Sequence, residues 1–206
     1  ELKSYLGSKV FDQAEINKIS VKPGHRHHPW EKNCVAIGLS AGFLEPLEAS
    51  AIVQVELSAE WLCHQLPKTR ETMDIVSKRF NEEFNYRWSR IIDFLKLHYV
   101  LSKRTDNDFW IENRQPDSIP ETLQESLQLW KHHHPWVHDF NRSNEIFSSA
   151  SYQYVLCGMG FKTQMDYTVS EEEKRIANSI LVKNQRMLEN CIYHLPDHRA
   201  LLNKIS

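Results

Sequence analysis

The sequence predicts a mainly α-helical chain with a few β-strands near its start. Three observations carry that reading. Apolar residues recur at helical spacing from Pro46 onward, a long periodic segment runs from about Thr69 to Leu101, and Ser170 with Glu173 forms a capping-box signature.

Residues 1 to 15 read as a short helix and linker. Ile19 and Val21 alternate with polar neighbours as a strand does, Pro23-Gly24 marks a turn, and a second extended piece runs through the histidines to Cys34–Gly38. Val35 to Ile37 is apolar, and the residues after it, Gly38, Ser40, Ala41 and Gly42, are small. A helix is predicted to open at Glu45-Pro46, where the missing proline N–H costs nothing. Its apolar positions are Leu47, Ile52, Val55, Leu57 and Leu62, and Pro67 interrupts it.

The segment from Thr69 to Leu101 spaces Met73, Val76, Phe80, Phe84, Trp88, Ile91, Ile92 and Leu95 for a buried face, with a break expected near Glu83 to Asn85. Ser118 with Glu121 signals a helix to about Lys131, Tyr152 to Gly158 is another, and Ser170 with Glu173 opens one reaching about His194. Pro196 begins a short terminal helix. Loops around 105–108, 114–118 and 134–149 are natural pocket walls.

At 206 residues, with 41% hydrophobic and 25% charged side chains, the chain suits one domain or a large part of a bigger protein. A formal charge of −2 leaves no electrostatic footprint for nucleic acid. Cys34, Cys63, Cys157 and Cys191 stand far apart, without zinc-site spacing or the density of a disulfide scaffold, so reduced thiols are expected. No apolar stretch approaches a membrane span and no charged-then-apolar leader opens the chain, so a cytoplasmic protein without membrane contact is expected.

Small residues at a strand-to-helix turn let an extended ligand lie against backbone N–H groups, and a helix start offers unpaired donors to an anion. Taken alone, Glu45 and Glu48 are first-turn carboxylates opposing the helix dipole, worth about 0.3–1 kcal/mol each. His25, His27 and His28, like His132, His133 and His134, invite a metal reading. Adjacent histidines on an extended piece point to opposite faces and lack spaced Cys or acidic partners, so no metal is expected.

The run from Cys34 to Ser50 resembles the flavin-dependent tryptophan halogenase family, in which a Gly-x-x-Ala-Gly-Phe-x-Glu-Pro-Leu-Glu-Ser-Thr stretch lies beside flavin and halide. The likeness continues in the family's order through Phe80-Asn81, Trp88, Asp93–Tyr99, Ser102–Trp110, Leu127-x-Leu129-Trp130 and Val155–Gly160, covering roughly residues 24 to 161. By this resemblance the fold is the C-terminal part of a flavin monooxygenase-like (FAD/NAD(P)-binding α/β) halogenase. Residues 1–43 would end the flavin-binding region, and 44–206 would form a helical, substrate-facing region.

The resemblance implies FAD, reduced by a separate flavin reductase, with oxygen and a halide co-substrate producing hypohalous acid that halogenates an electron-rich aromatic molecule. It assigns Glu48 as catalytic, Gly38, Ser40, Ala41, Gly42 and Ala49 to the flavin, and the backbone N–H groups of Ser50 and Ala51 to the halide. His98, Tyr99, Thr105, Phe109 and Trp110 would enclose the substrate ring. The family has threonine and glycine where Ser50 and Ala51 stand.

His98 replaces the first of a tyrosine pair, and Thr105 and Arg114 occupy positions of an expected acid and amide, which argues against free tryptophan and for a simpler indole or a larger indole- or phenol-bearing molecule. The family's dinucleotide fingerprint and early lysine have no counterpart here, so the chain is expected to be the C-terminal portion of a longer enzyme, inactive alone. A homodimer is one assembly open to it. A flavin monooxygenase and a non-catalytic helical interaction module are the competing readings.

Overall fold

The computed structural model describes residues 2–205 apart from 16, 18, 141, 143 and 165–167. Two compact units divide the chain, Glu1–Thr163 and Gln164–Ser206, so the sequence boundary at 43/44 falls inside the first.

The first unit opens with short helices α1 (Leu2–Leu6) and α2 (Ser8–Gln13). Two antiparallel ladders follow: β1 (Gly24–His25) pairs with β4 (Gly42–Phe43), and between them β2 (Trp30–Glu31) pairs with β3 (Cys34–Val35). Ile19 and Val21 form no strand. Both are exposed, at 79% and 51%, so their alternation has no buried side to reward it.

Five helices complete this unit: α3 (Ser50–Gln65), α4 (Met73–Leu101), α5 (Asp108–Glu112), α6 (Glu121–Trp130) and α7 (Ser149–Gly158). The 29-residue α4 runs unbroken through the expected break. Its polar residues there are paired: Glu83 meets Arg87 at 2.9 Å one turn on, and the Asn85 amide donates to the His27 carbonyl at 2.8 Å.

α4 supplies both cores. Phe80, Phe84 and Trp88 pack with Trp30 and Ala41 at one end, while Phe94 and Leu97 pack with Leu123, Trp130, Tyr152 and Leu156 at the other. The Asn81 amide clamps β2 onto α4, accepting from Trp30 N–H and donating to Trp30 C=O, each at 2.9 Å. That clamp hangs the whole small-residue segment on one rigid helix.

Two predicted helix starts move. α3 begins at Ser50 because Ala49 adopts a left-handed conformation (φ 50°, ψ 27°), and a turn closed by Ala49 N–H to Pro46 C=O (3.2 Å) precedes it. Its inner face also differs from the expected one: Ser50, Gln54 and Ser58 are buried, whereas Ile52 is 79% exposed. α6 begins without a serine cap, since the Ser118 hydroxyl donates back to Gln115 C=O at 2.7 Å and closes a separate 3₁₀ turn.

The second unit contains α8 (Glu171–His194) and α9 (His198–Ile205). α8 carries the predicted capping box: Ser170 Oγ accepts from Glu173 N–H at 3.2 Å, and the Glu173 carboxylate accepts from Ser170 N–H at 2.8 Å. Among the described residues no helix is long and apolar enough to cross a membrane.

Candidate functional site

The turn from Glu45 to Ala49 sits between a cavity and a cluster of aromatic rings. Leaving α4, consecutive side chains reach back to its two acids. His98 Nε2 lies 3.0 Å from Glu48 Oε1, and the Tyr99 hydroxyl donates to Glu45 Oε1 at 2.7 Å. Burial, reinforced by the Glu45 carboxylate, pushes the Tyr99 phenol well above its usual range, which keeps that hydrogen on tyrosine.

Neither acid is a helix-end charge, because α3 has no acidic residue in its first turn. The dipole explanation read from sequence is therefore replaced by two specific pairings.

Tyr99 also meets the rings of Phe109 (5.4 Å between centroids) and Trp110 (6.0 Å), both edge-on, and Phe109 meets Trp110 at 5.2 Å. The Arg104 guanidinium lies 4.3 Å from the Trp110 ring centre and is held by Asp106 at 2.7 Å. Thr105, between them, is exposed, and Phe109 is half exposed. The Arg114 guanidinium pins this loop by donating to Ser102 C=O at 2.8 Å. Three of the five predicted substrate residues, Tyr99, Phe109 and Trp110, thus converge, while His98 and Tyr99 pair with the two acids.

Across the turn lies a cavity of about 430 Å³, walled by Gly38, Ala41, Gly42, Glu45, Ser50 and Ala51 among others. Glu45 borders it while bonding Tyr99, so this acid joins the two compartments. Ser50 and Ala51 begin α3, where backbone N–H groups have no partner within the helix, and Ala49 supplies no side-chain cap. An alanine held at positive φ costs about 1–3 kcal/mol and persists only where its surroundings impose it.

The small residues divide by cause. Gly38 has φ +65°, which side chains disfavour, whereas Gly42 is forced by packing: a Cβ there would lie 2.6 Å from the Trp88 ring. Ser40 is turned to local work, its hydroxyl donating to Ile37 C=O at 2.9 Å.

Sequence reasoning missed two polar residues in the cavity. Gln54 is 7% exposed with neither amide atom hydrogen-bonded, and Trp88, 6% exposed, has an unpaired Nε1–H. Each such group costs about 1–3 kcal/mol when nothing meets it. The available signal was the four-residue spacing of Ser50, Gln54 and Ser58, a polar stripe along one helix face.

Two of the histidines make ring contacts: His25 stacks on Trp88 at 4.9 Å, and His27 meets His25 edge-on at 5.4 Å. Among the described residues no group of three His, Cys, Asp or Glu could hold a metal.

Comparison with known proteins places the chain among halogenases. The tryptophan halogenase family model matches residues 1–173. Tryptophan 6-halogenase SttH from Streptomyces toxytricini is 29% identical over 159 residues, covering 77% of this chain and 30% of that protein. A tryptophan halogenase structure from Shewanella frigidimarina NCIMB 400 superposes with a TM-score of 0.90 at 41% identity, covering 99% of this chain and 39% of its own. BrvH, a flavin-dependent halogenase from Brevundimonas sp. BAL3, follows at 33% identity and a TM-score of 0.70, covering 89% and 37% respectively.

The chain thus spans well under half the length of each of these relatives. With most of its residues matched by the family model and a neighbour aligned over nearly its whole length, it belongs to the tryptophan halogenase family.

Proposed function

We propose that the chain is the C-terminal, substrate-facing portion of an FAD-dependent halogenase acting on an electron-rich aromatic molecule of the indole class. The observation that carries this is the Glu45–Glu48 turn, cross-linked to His98 and Tyr99 and lying between a cavity and an aromatic wall. Such a partition suits halogenation: oxidation of halide on one side, an aromatic ring on the other, and a base beside the ring.

The cavity fits a flavin ring system. Gly38, Ala41 and Gly42 keep its wall low, and the unpaired Gln54 amide and Trp88 N–H suit a heteroaromatic edge rich in donors and acceptors. Reduced FAD held there, supplied by a separate reductase, would furnish with oxygen the oxidising power for making hypohalous acid from halide.

The chain's own residues do the rest. Ser50 and Ala51 N–H groups at the start of α3 hold the halide anion. Tyr99, Phe109 and Trp110 exclude water and orient the aromatic ring, with Arg104 bracing Trp110. Glu48 accepts the proton that the halogenated carbon loses as aromaticity returns.

The test is the full-length enzyme with FAD, reductase, NADH, oxygen, bromide and indole. Bromoindole is expected, and Glu48→Gln should lower its rate about 100-fold or more with flavin binding retained. Product without halide dependence would assign a monooxygenase instead. Equal rates for mutant and parent would remove Glu48 from the chemistry.

A further inference from the structure

We infer that His98 is the positioning residue of Glu48, holding one carboxylate oxygen through a shared hydrogen so that the other faces the substrate as base. The inference rests on the halogenase reading for what the base does, but the pairing itself rests only on geometry.

The argument is a count of hydrogens. His98 Nδ1 lies 2.8 Å from the Phe94 carbonyl oxygen, which can only accept, so Nδ1 carries a hydrogen. A neutral imidazole has one N–H, and this contact uses it. Nε2 then has only a lone pair to offer Glu48 Oε1, an acceptor 3.0 Å away. Two acceptors facing each other at that distance repel.

The contact therefore contains a second hydrogen, and only as imidazolium with carboxylate does it leave Glu48 able to act as a base. That hydrogen sits on Nε2, between the two atoms. The α4 backbone, through Phe94 C=O, sets the ring, and the ring sets the acid.

This division leaves Oε2 of Glu48 as the free oxygen. In the proposed reaction the C–H electron pair returns to the aromatic ring, the proton goes to Oε2 and the halogen stays on carbon. The Glu48 side chain is 34% exposed, so that proton leaves to solvent. Tyr99 serves the neighbouring acid in the same way, donating one hydrogen to one Glu45 oxygen. The resemblance set His98 against the substrate; its 3.0 Å contact with Glu48 supports the positioning role instead.

The two roles separate kinetically in the full-length enzyme brominating indole. His98→Phe should lower kcat about tenfold to a hundredfold, by letting the carboxylate swing, with KM for indole little changed. His98→Gln, whose amide can donate to the carboxylate, should recover part of that kcat. A rise in KM with kcat retained would overturn the inference and return His98 to the substrate wall. Melting curves for each variant exclude a folding defect.

A second measurement needs no turnover. With ring-¹⁵N histidine, both nitrogens of His98 should carry hydrogens in the parent, and Glu48→Gln should turn Nε2 into an acceptor while Nδ1 keeps its hydrogen. A bare Nε2 in the parent would overturn the pairing even in an active halogenase. The expected spectrum from an enzyme that halogenates nothing would instead sink the halogenase reading, and the base role with it.

Discussion

Tyr99 donates its hydroxyl hydrogen to Glu45 across 2.7 Å, joining residues 54 apart in sequence at the meeting point of the cavity and the aromatic cluster. The acceptor is a carboxylate and the phenol is partly buried, so the bond belongs to the stronger, charge-assisted kind. Tyr99→Phe keeps the ring contacts with Phe109 and Trp110 and removes only this bond. The expected loss is about 1.5 kcal/mol, the low end for a bond to a charged group, because the site is not fully enclosed. Urea unfolding of parent and mutant checks it; an unchanged midpoint would show that the bond exchanges with water at no cost.

Gln54 is expected to behave in the opposite sense. Its buried amide has two unpaired polar atoms in the cavity, so Gln54→Met, similar in size and apolar, should stabilise the ligand-free chain by about 1–3 kcal/mol. In the full-length enzyme the same change should weaken flavin binding, measured by fluorescence titration. A mutant that melts no higher than the parent would mean that ordered water already satisfies the amide.

Gly42 tests the packing reason for the small-residue segment. An added Cβ would lie 2.6 Å from Trp88 Cζ2 and 2.8 Å from His25 Cβ, and Trp88 is itself buried between helix and strand. Gly42→Ala should therefore destabilise by about 1–3 kcal/mol, with a change in tryptophan emission as the indole shifts. No change in either would show that the ring has room to retreat.

These residues also mark how far the sequence could be read. The Glu-Pro-Leu-Glu run and the 98–110 aromatics were legible because residue types in fixed order carry a motif. Their cross-pairing was not, since Glu45 meets Tyr99 and Glu48 meets His98 only after α4 has been laid against the turn. Pro46 misled: read as a first-turn proline, it belongs to a separate turn, and Ala49 at positive φ delays α3 to Ser50.

Period misled along α3, where counting Ile52 and Val55 as the inner face overlooked that a spacing identifies a stripe without saying which stripe is buried. The unbroken α4 carries a similar lesson: Glu83 and Asn85 interrupt an apolar pattern without interrupting a helix, because both find partners.

Asp93 supplies a prediction about pH. It is 2% exposed on α4, accepts from Arg90 at 2.6 Å and from the Thr122 hydroxyl at 2.8 Å, and so ties α4 to α6. Burial outweighs both partners and raises its carboxyl above the ordinary value of 3.8. The folded chain therefore keeps this proton to a higher pH than the unfolded chain does. In the window upward from the ordinary carboxylate value, the folded state binds more protons, so the free energy of unfolding falls as pH rises.

The contribution is complete below that window and lost once pH passes the folded value. Asp93→Asn cannot ionise, so the difference between parent and mutant should shift in the mutant's favour as pH rises above the ordinary carboxylate value and through the raised folded one. Urea unfolding at several pH values measures it. A difference that moves the other way would show that Arg90 and Thr122 outweigh burial, making the ionised carboxylate the stabilising form.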